Sequence, residues 1–396
     1  MSAAHSVPAV QVTEVSRAYV DAVDRRIDQV VREFPEATFA EIVPRVRGAF
    51  PSIVYARLLG RTNVRSAERR QSTASVGRKH YDPELHPIDF EWYFSQRGID
   101  SILAALPQNI SRMLCIGAPT VAAALSQSRQ TVLLDANPLV KERFRNVTGL
   151  DITTSNISAW TAPDTFPAVF FDAPWYEQAA MYWFWRAWRA AEPKGIVLFS
   201  LFPRLTRPGA NDERDRILAF AGEAGVTSVR ESCIEYETPL FEARALAEAG
   251  VPDPGPWRRG DLVAVRITRS APMLPPMEPE AEVSWETFVV GAQVIKLREA
   301  TSGPPGEVLA PLDECPRFVL PSVSSREPLR SRIDFWTSRN RVAQVGQRAA
   351  VTAVLSILQQ GGSIDDGVKE ASPSAGERST LMRRFRAVLD MSTHAF

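Results

Sequence analysis

The sequence is poor in the residues that bind metals and build disulfide frameworks. Among 396 residues there are three cysteines, Cys115, Cys233 and Cys315, and four histidines, His5, His80, His86 and His394. No cysteines show the Cys-x-x-Cys spacing of a zinc or redox site, so buried thiols are expected. The histidines have no ligand spacing and are expected to cap turns or face solvent; no protein-bound metal is expected. Net charge is missing too. The 46 basic residues balance 46 acidic ones, which excludes a whole-protein field that would draw the chain to nucleic acid or an anionic membrane. No apolar run approaches the ~20 residues that span a bilayer. The N-terminus has no charged segment leading into an apolar core and a cleavage site. A cytoplasmic protein with no membrane partner is the expectation.

What the sequence has is length, and a change of pattern along it. At 396 residues the chain exceeds one ordinary domain, so a catalytic domain with flanking modules is expected. Residues 1–60 read as a helical module: Val15, Tyr19, Val23, Ile27, Val30 and Val31 form one stripe, broken at Phe34-Pro35, and two shorter helices follow. Such a module suits a helix-turn-helix or a bundle that caps the catalytic domain. Residues 61–85 are rich in Arg and Ser and read as a flexible basic linker.

Residues 86–269 alternate strand and helix. Apolar runs at Met113–Ile116, Thr131–Leu134, Val169–Phe171 and Ile196–Leu201 are separated by helical patterns, which predicts a Rossmann-like, doubly wound α/β sheet, mostly parallel. Two late strands, Val226–Tyr236 and Asp261–Arg266, lack a full crossover between them and predict an antiparallel edge. Residues 270–284, rich in Pro and Glu, read as a second linker. Residues 285–396 read as a mostly helical C-terminal module with arginines around Phe335 and Trp336, suited equally to nucleic acid and to a protein partner.

A parallel sheet binds ligands beyond the carboxyl ends of its strands. Gly117 closes the first strand and lets a cofactor approach the backbone, while Asp135 ends the second and is placed to accept ribose hydroxyls. Gly117-Ala118-Pro119-Thr120 is not the glycine fingerprint of nicotinamide or flavin enzymes. The informative turn is Asp172-Ala173-Pro174-Trp175-Tyr176, directly after an apolar strand. A carboxylate and a main-chain carbonyl together can hold the two N–H groups of a weakly nucleophilic amine, and an aromatic ring can stack on a flat substrate. In that reading Asp172 and the Ala173 carbonyl are the acceptors, Pro174 shapes the turn, and Trp175 or Tyr176 is the platform. Taken alone, the turn reads equally as a capped helix start with proline near its first position.

In order along the chain these pieces resemble class I methyltransferases, and within them the family of N6-adenine and elongation-factor lysine methyltransferases. The aromatic segment Phe90-Glu91-Trp92-Tyr93-Phe94-Ser95, the Ala118-Pro119 loop, Asp135, Arg143-Phe144 and Asp151-Ile152-Thr153 are similar to that family's motifs. Asp172 to Trp175 stands where the family has Asp-Pro-Pro-aromatic, with Ala173 replacing the first proline. The resemblance covers about 90–266. It implies S-adenosylmethionine as cofactor, held by Trp92, Cys115, Gly117, Pro119, Asp135, Asp151 and Ile152, with the last two near its adenine. It also implies transfer to an amine of a nucleic-acid or protein substrate, adenine N6 ahead of lysine. The alternative is an inactive methyltransferase fold that serves as a nucleic-acid-binding or protein-interaction module.

Overall fold

The computed structural model describes residues 14–59, 79–276, 283–304, 307–371 and 375–389. Most of the basic linker and part of the second linker lie outside them. The centre is a seven-stranded sheet of β1 (Arg112–Ile116), β2 (Gln130–Asp135), β3 (Leu150–Thr154), β4 (Phe166–Phe171), β5 (Ala191–Leu201), β6 (Gly225–Glu235) and β7 (Arg259–Ile267). Their order is β3-β2-β1-β4-β5-β7-β6. The first five strands run parallel, and β7 pairs antiparallel with both β5 and β6. This is the Rossmann-like sheet with an antiparallel edge that the strand pattern predicts.

The central strands are apolar on both faces because helices cover both. Leu114, Val169, Phe171 and Phe199 face one core, while Met113, Cys115, Phe170 and Leu198 face the other. Helix α7 (Glu177–Ala190) follows the Asp172 turn and buries Tyr182, Phe184, Trp185 and Trp188. Phe184 packs 5.6 Å from the Phe199 ring and 5.7 Å from Phe220, and the Trp185 and Trp188 indoles donate to the carbonyls of Pro272 and Arg269. This aromatic run is therefore core, with its N–H groups satisfied by the returning chain.

The N-terminal helices α1 (Glu14–Glu33), α2 (Phe39–Ile42) and α3 (Pro51–Leu59) pack against the domain of the seven-stranded sheet. Tyr19, Val23, Ile27 and Val30 are buried along one stripe of α1 and share a core with Leu205 and Trp257. The Tyr19 hydroxyl donates to the Leu205 carbonyl, 3.0 Å away.

The C-terminal module departs from the helical expectation. Strands β8 (Trp285–Val290), β9 (Gln293–Arg298), β10 (Phe335–Thr337) and β11 (Val342–Ala343) form a second sheet of order β11-β10-β9-β8. Gly291, with φ of 59°, sits in the two-residue turn that joins β8 to β9. Helices begin only at α10 (Arg348–Gln359), followed by α11 (Ile364–Ala371) and α12 (Ala375–Val388). Phe335 and Trp336 are buried core rather than an exposed binding face. The module is tied to the domain of the seven-stranded sheet by a shared core of Trp336, Leu320, Tyr93 and Phe241, and by ion pairs from Arg339 to Glu84 (2.8 Å) and Lys296 to Asp89 (3.0 Å). Among the described residues no helix is long and apolar enough to cross a membrane.

Candidate active site

The turn after β4 is anchored before any ligand is considered. The Asp172 N–H donates to the carbonyl of Ile116, 3.1 Å away, which fixes the turn to the end of β1. Next to it Gly117 has φ of 62°, a left-handed conformation. A Cβ at Gly117 would lie 2.7 Å from the Trp183 ring. The fold itself therefore demands glycine at this position.

Asp172 is partly buried, and desolvation pushes its carboxyl up to about 7; the Tyr236 hydrogen bond, the neighbouring Ser200 hydroxyl and the charge of Arg258 pull it only partly back. The Tyr236 hydroxyl donates to Asp172 Oδ1 at 2.8 Å and lies 2.5 Å from Ser200 Oγ. Burial beside this carboxyl pushes the Tyr236 phenol far up, so it stays a neutral donor. Three strands thus build the chain Ser200–Tyr236–Asp172: β5 carries Ser200, Tyr236 follows β6, and Asp172 follows β4.

A cavity of about 300 Å³ opens at this carboxyl, lined by the whole turn from Asp172 to Tyr176, by Phe90, Trp92 and Tyr236, and by residues of both flanking modules. Phe50 belongs to the N-terminal module, and Val323 to Arg326 belong to the C-terminal one. Trp175 stands edge-on to Tyr236 with ring centres 5.6 Å apart, and Tyr176 faces Phe90 at 6.5 Å. The Ser325 hydroxyl hydrogen-bonds the Tyr176 hydroxyl. On the opposite wall the Arg258 guanidinium lies 4.9 Å from Trp92, 5.1 Å from Trp175 and 4.9 Å from Trp257, and pairs with buried Glu242 at 2.6 Å.

The second cluster gathers at Asp135, at the carboxyl end of β2. Asp135 Oδ1 accepts the Asn137 N–H at 2.9 Å, and the other carboxylate oxygen accepts no hydrogen bond from the described residues. Burial pushes this carboxyl to about 7 as well, with Glu91 and Asp89 reinforcing the rise. The Asn137 amide donates to Glu91 at 3.0 Å and to Asp89 at 3.3 Å, and Glu91 forms a buried ion pair with Arg143. The neighbouring strand end is joined to it by the Ser155 N–H, which donates to the Asp135 carbonyl at 3.0 Å.

The structure therefore brings Asp172, Ala173, Pro174, Trp175, Tyr176 and Trp92 to one cavity, and puts Gly117, Pro119 and Asp135 at the carboxyl edge beside it. Pro119 is buried at the first position of α5 (Pro119–Leu125). Trp92 lines the cavity at Asp172, where it also packs on Phe241 with ring centres 4.9 Å apart. Cys115 is wholly buried in β1, and burial pushes its thiol up, so only its backbone faces the edge. Asp151 and Ile152 are not brought to that edge. They pair with Val132 and Leu133, and it is Thr154 that stands opposite Asp135. With a rise near 3.3 Å per residue, Asp151 lies about 10 Å before the strand end, and the segment from Thr154 to Ile157 takes its place there. The loop Trp257-Arg258 does border the cavity. Tyr236, Ser200, Glu242, Arg207 and Arg326 carry no motif in the sequence and are recruited by topology alone.

No protein-family model matches the sequence, and no curated protein matches it. Solved structures do match. A branched-chain polyamine synthase mutein from Thermus thermophilus, in complex with an aminopropylated spermidine and 5′-methylthioadenosine, superposes with a TM-score of 0.50 at 16% identity, over 68% of this chain and 94% of its own. An N-methyltransferase from Bradyrhizobium japonicum gives 0.31 at 12% identity, over 44% of this chain and 96% of its own. A 16S rRNA methyltransferase from T. thermophilus gives 0.31 at 14% identity, over 53% and 48%. The likeness is one of fold, and it rests on the polyamine synthase.

Proposed function

We propose that the protein is an S-adenosylmethionine-dependent methyltransferase that acts on an amine nitrogen. The observation that carries this reading is Asp172: a carboxyl held near 7 at the carboxyl edge of a Rossmann-like sheet, hydrogen-bonded on one oxygen and facing an aromatic cavity. The residues at the neighbouring strand ends fit the cofactor. Asp135 offers one carboxylate oxygen that no described residue uses, suited to ribose hydroxyls, and Gly117 leaves the end of β1 free of a side chain. When bound, S-adenosylmethionine supplies an electrophilic methyl group on a sulfonium.

The chain's own part is to hold the amine and take its proton. Tyr236 donates to Oδ1 and fixes the carboxyl's orientation, which leaves Oδ2 for an N–H of the acceptor. An alkylammonium loses its proton to Asp172 before attack; an adenine amine loses it as the new N–C bond forms. The Ala173 carbonyl is the second acceptor, because a residue that precedes proline is held in extended geometry. Among amines the rings of Trp175 and Tyr176 favour a flat acceptor such as adenine N6 over a lysine side chain. Calorimetry with S-adenosylmethionine and S-adenosylhomocysteine tests the cofactor, and transfer of tritiated methyl groups tests the reaction. Asp172→Ala is expected to abolish transfer with cofactor binding kept. Nucleic-acid binding without any transfer would instead fit the inactive, binding-module alternative.

A further inference from the structure

The charges that line the cavity are unequal in what they leave open. Glu242 pairs with Arg258 through one carboxylate oxygen while its other oxygen is buried without a hydrogen bond, and that guanidinium is covered by three tryptophan rings, so this wall is close to charge-balanced. The outer end is different. Arg207 and Arg326 lie 5.5 and 5.3 Å from the Tyr176 ring centre, and both pair with the single carboxylate of Glu213, Arg326 at 3.4 Å. The other acid nearby, Glu177, is held by Arg216 through two hydrogen bonds. Arg330 adds a further positive charge. It lies behind the lining, 5.8 Å from the ring of the cavity residue Phe90, and pairs with no carboxylate among the described residues. Two guanidiniums on one carboxylate keep donors for a second anion, and aromatic walls around them keep that interaction partly out of water. At about 300 Å³ the cavity is at the small end of ligand sites.

We propose that the acceptor is a small amine that also carries an oxyanion, a carboxylate or a phosphate, which docks on Arg207 and Arg326 while its nitrogen reaches Asp172. This rests on the transferase reading, and it opposes a purely cationic acceptor of the polyamine type. The cavity is lined by two carboxyls, Asp172 and Glu242, and three guanidiniums, Arg207, Arg258 and Arg326; with Glu242 and Arg258 paired to each other, such a molecule would meet Asp172 against two guanidiniums.

The test is calorimetry on the full chain with matched probes: 6-aminohexanoate against 1,5-diaminopentane, and adenosine monophosphate against adenosine. The first pair reads a carboxylate and the second a phosphate. In at least one pair the anionic member is expected to bind about tenfold tighter or more. Arg326→Gln, a change at a half-exposed side chain, should collapse that ratio toward one, and Arg326→Lys should restore part of it. Equal affinities within both pairs, tighter binding of the uncharged or dicationic members, a ratio unchanged in Arg326→Gln, or binding of an oligonucleotide but none of the small probes overturns the proposal. S-adenosylhomocysteine, titrated into the same samples, separates the two claims. Its failure to bind removes the transferase reading, whereas its binding with no anion preference removes only the acceptor class.

Discussion

Two carboxyls stand at the same edge of the sheet, one strand apart, and burial pushes both to about 7. They are held in opposite ways. Asp172 is hydrogen-bonded by a neutral hydroxyl and ringed by aromatic side chains at the cavity, with Arg258 the charge that acts on it. Asp135 sits in a charged scaffold of Glu91, Arg143, Asp89 and Lys296, which reaches into the C-terminal sheet and fixes its orientation. The difference separates a group that exchanges protons from a group that holds. On the proposed function it suits Asp172 to the acceptor and Asp135 to the cofactor.

The sharpest way to break that division is to neutralise each acid without changing its shape. Asp172→Asn should lower methyl transfer by about 10³-fold, while affinity for S-adenosylhomocysteine, read by calorimetry, stays within about twofold. Comparable transfer by the variant would remove Asp172 from the chemistry. Asp135→Asn should do the reverse and weaken S-adenosylhomocysteine by about 10- to 100-fold, the worth of hydrogen bonds to a charged group. An unchanged affinity would detach Asp135 from the cofactor. A smaller effect is expected of Tyr236→Phe. Losing the donor to Oδ1 removes an interaction that pulls the carboxyl down, so the acid limb of the rate profile, expected near pH 7 in the parent, should move to higher pH. A limb that stays in place would show that Tyr236 has no hold on Asp172.

The smallest effect concerns stability. Both carboxyls titrate at about 7 when folded, against 3.8 ordinarily, so the folded state binds more protons than the unfolded state between those values. Their contribution to stability is therefore full below about pH 4 and is lost as pH rises through 7. Melting temperatures of the ligand-free protein should show this fall superimposed on the other titrations. Asp172→Asn and Asp135→Asn should each flatten part of it, and a slope identical to the parent in both would contradict the shared cause.

The parts of this account that were legible in the sequence are those written locally. The runs that became β1, β2, β4 and β5 are apolar on both faces and are bounded by turn residues, and the Asp172 turn is five consecutive residues. Strand β3 was harder, because Leu150–Thr154 is an edge strand with partly exposed polar positions and no apolar run. The second sheet hid for a different reason. Trp285–Val290 and Gln293–Arg298 do not alternate apolar and polar residues on either side of their two-residue turn, so the period-2 signal of a hairpin is missing. Tyr236 and Ser200 had no local signal: Tyr236 lies 64 residues from Asp172, and only the insertion of β7 between β5 and β6 places it there. Asp151 was misplaced because a motif fixes sequence neighbours and not the register of a strand, and the register puts Thr154 at the edge.

Titration of S-adenosylhomocysteine into the parent, Asp172→Asn and Asp135→Asn proteins decides whether one sheet edge carries two separable carboxyl sites. Binding to the parent, equal binding to Asp172→Asn and weakened binding to Asp135→Asn are the expected results. No binding to the parent, or loss in Asp172→Asn with none in Asp135→Asn, would contradict that separation.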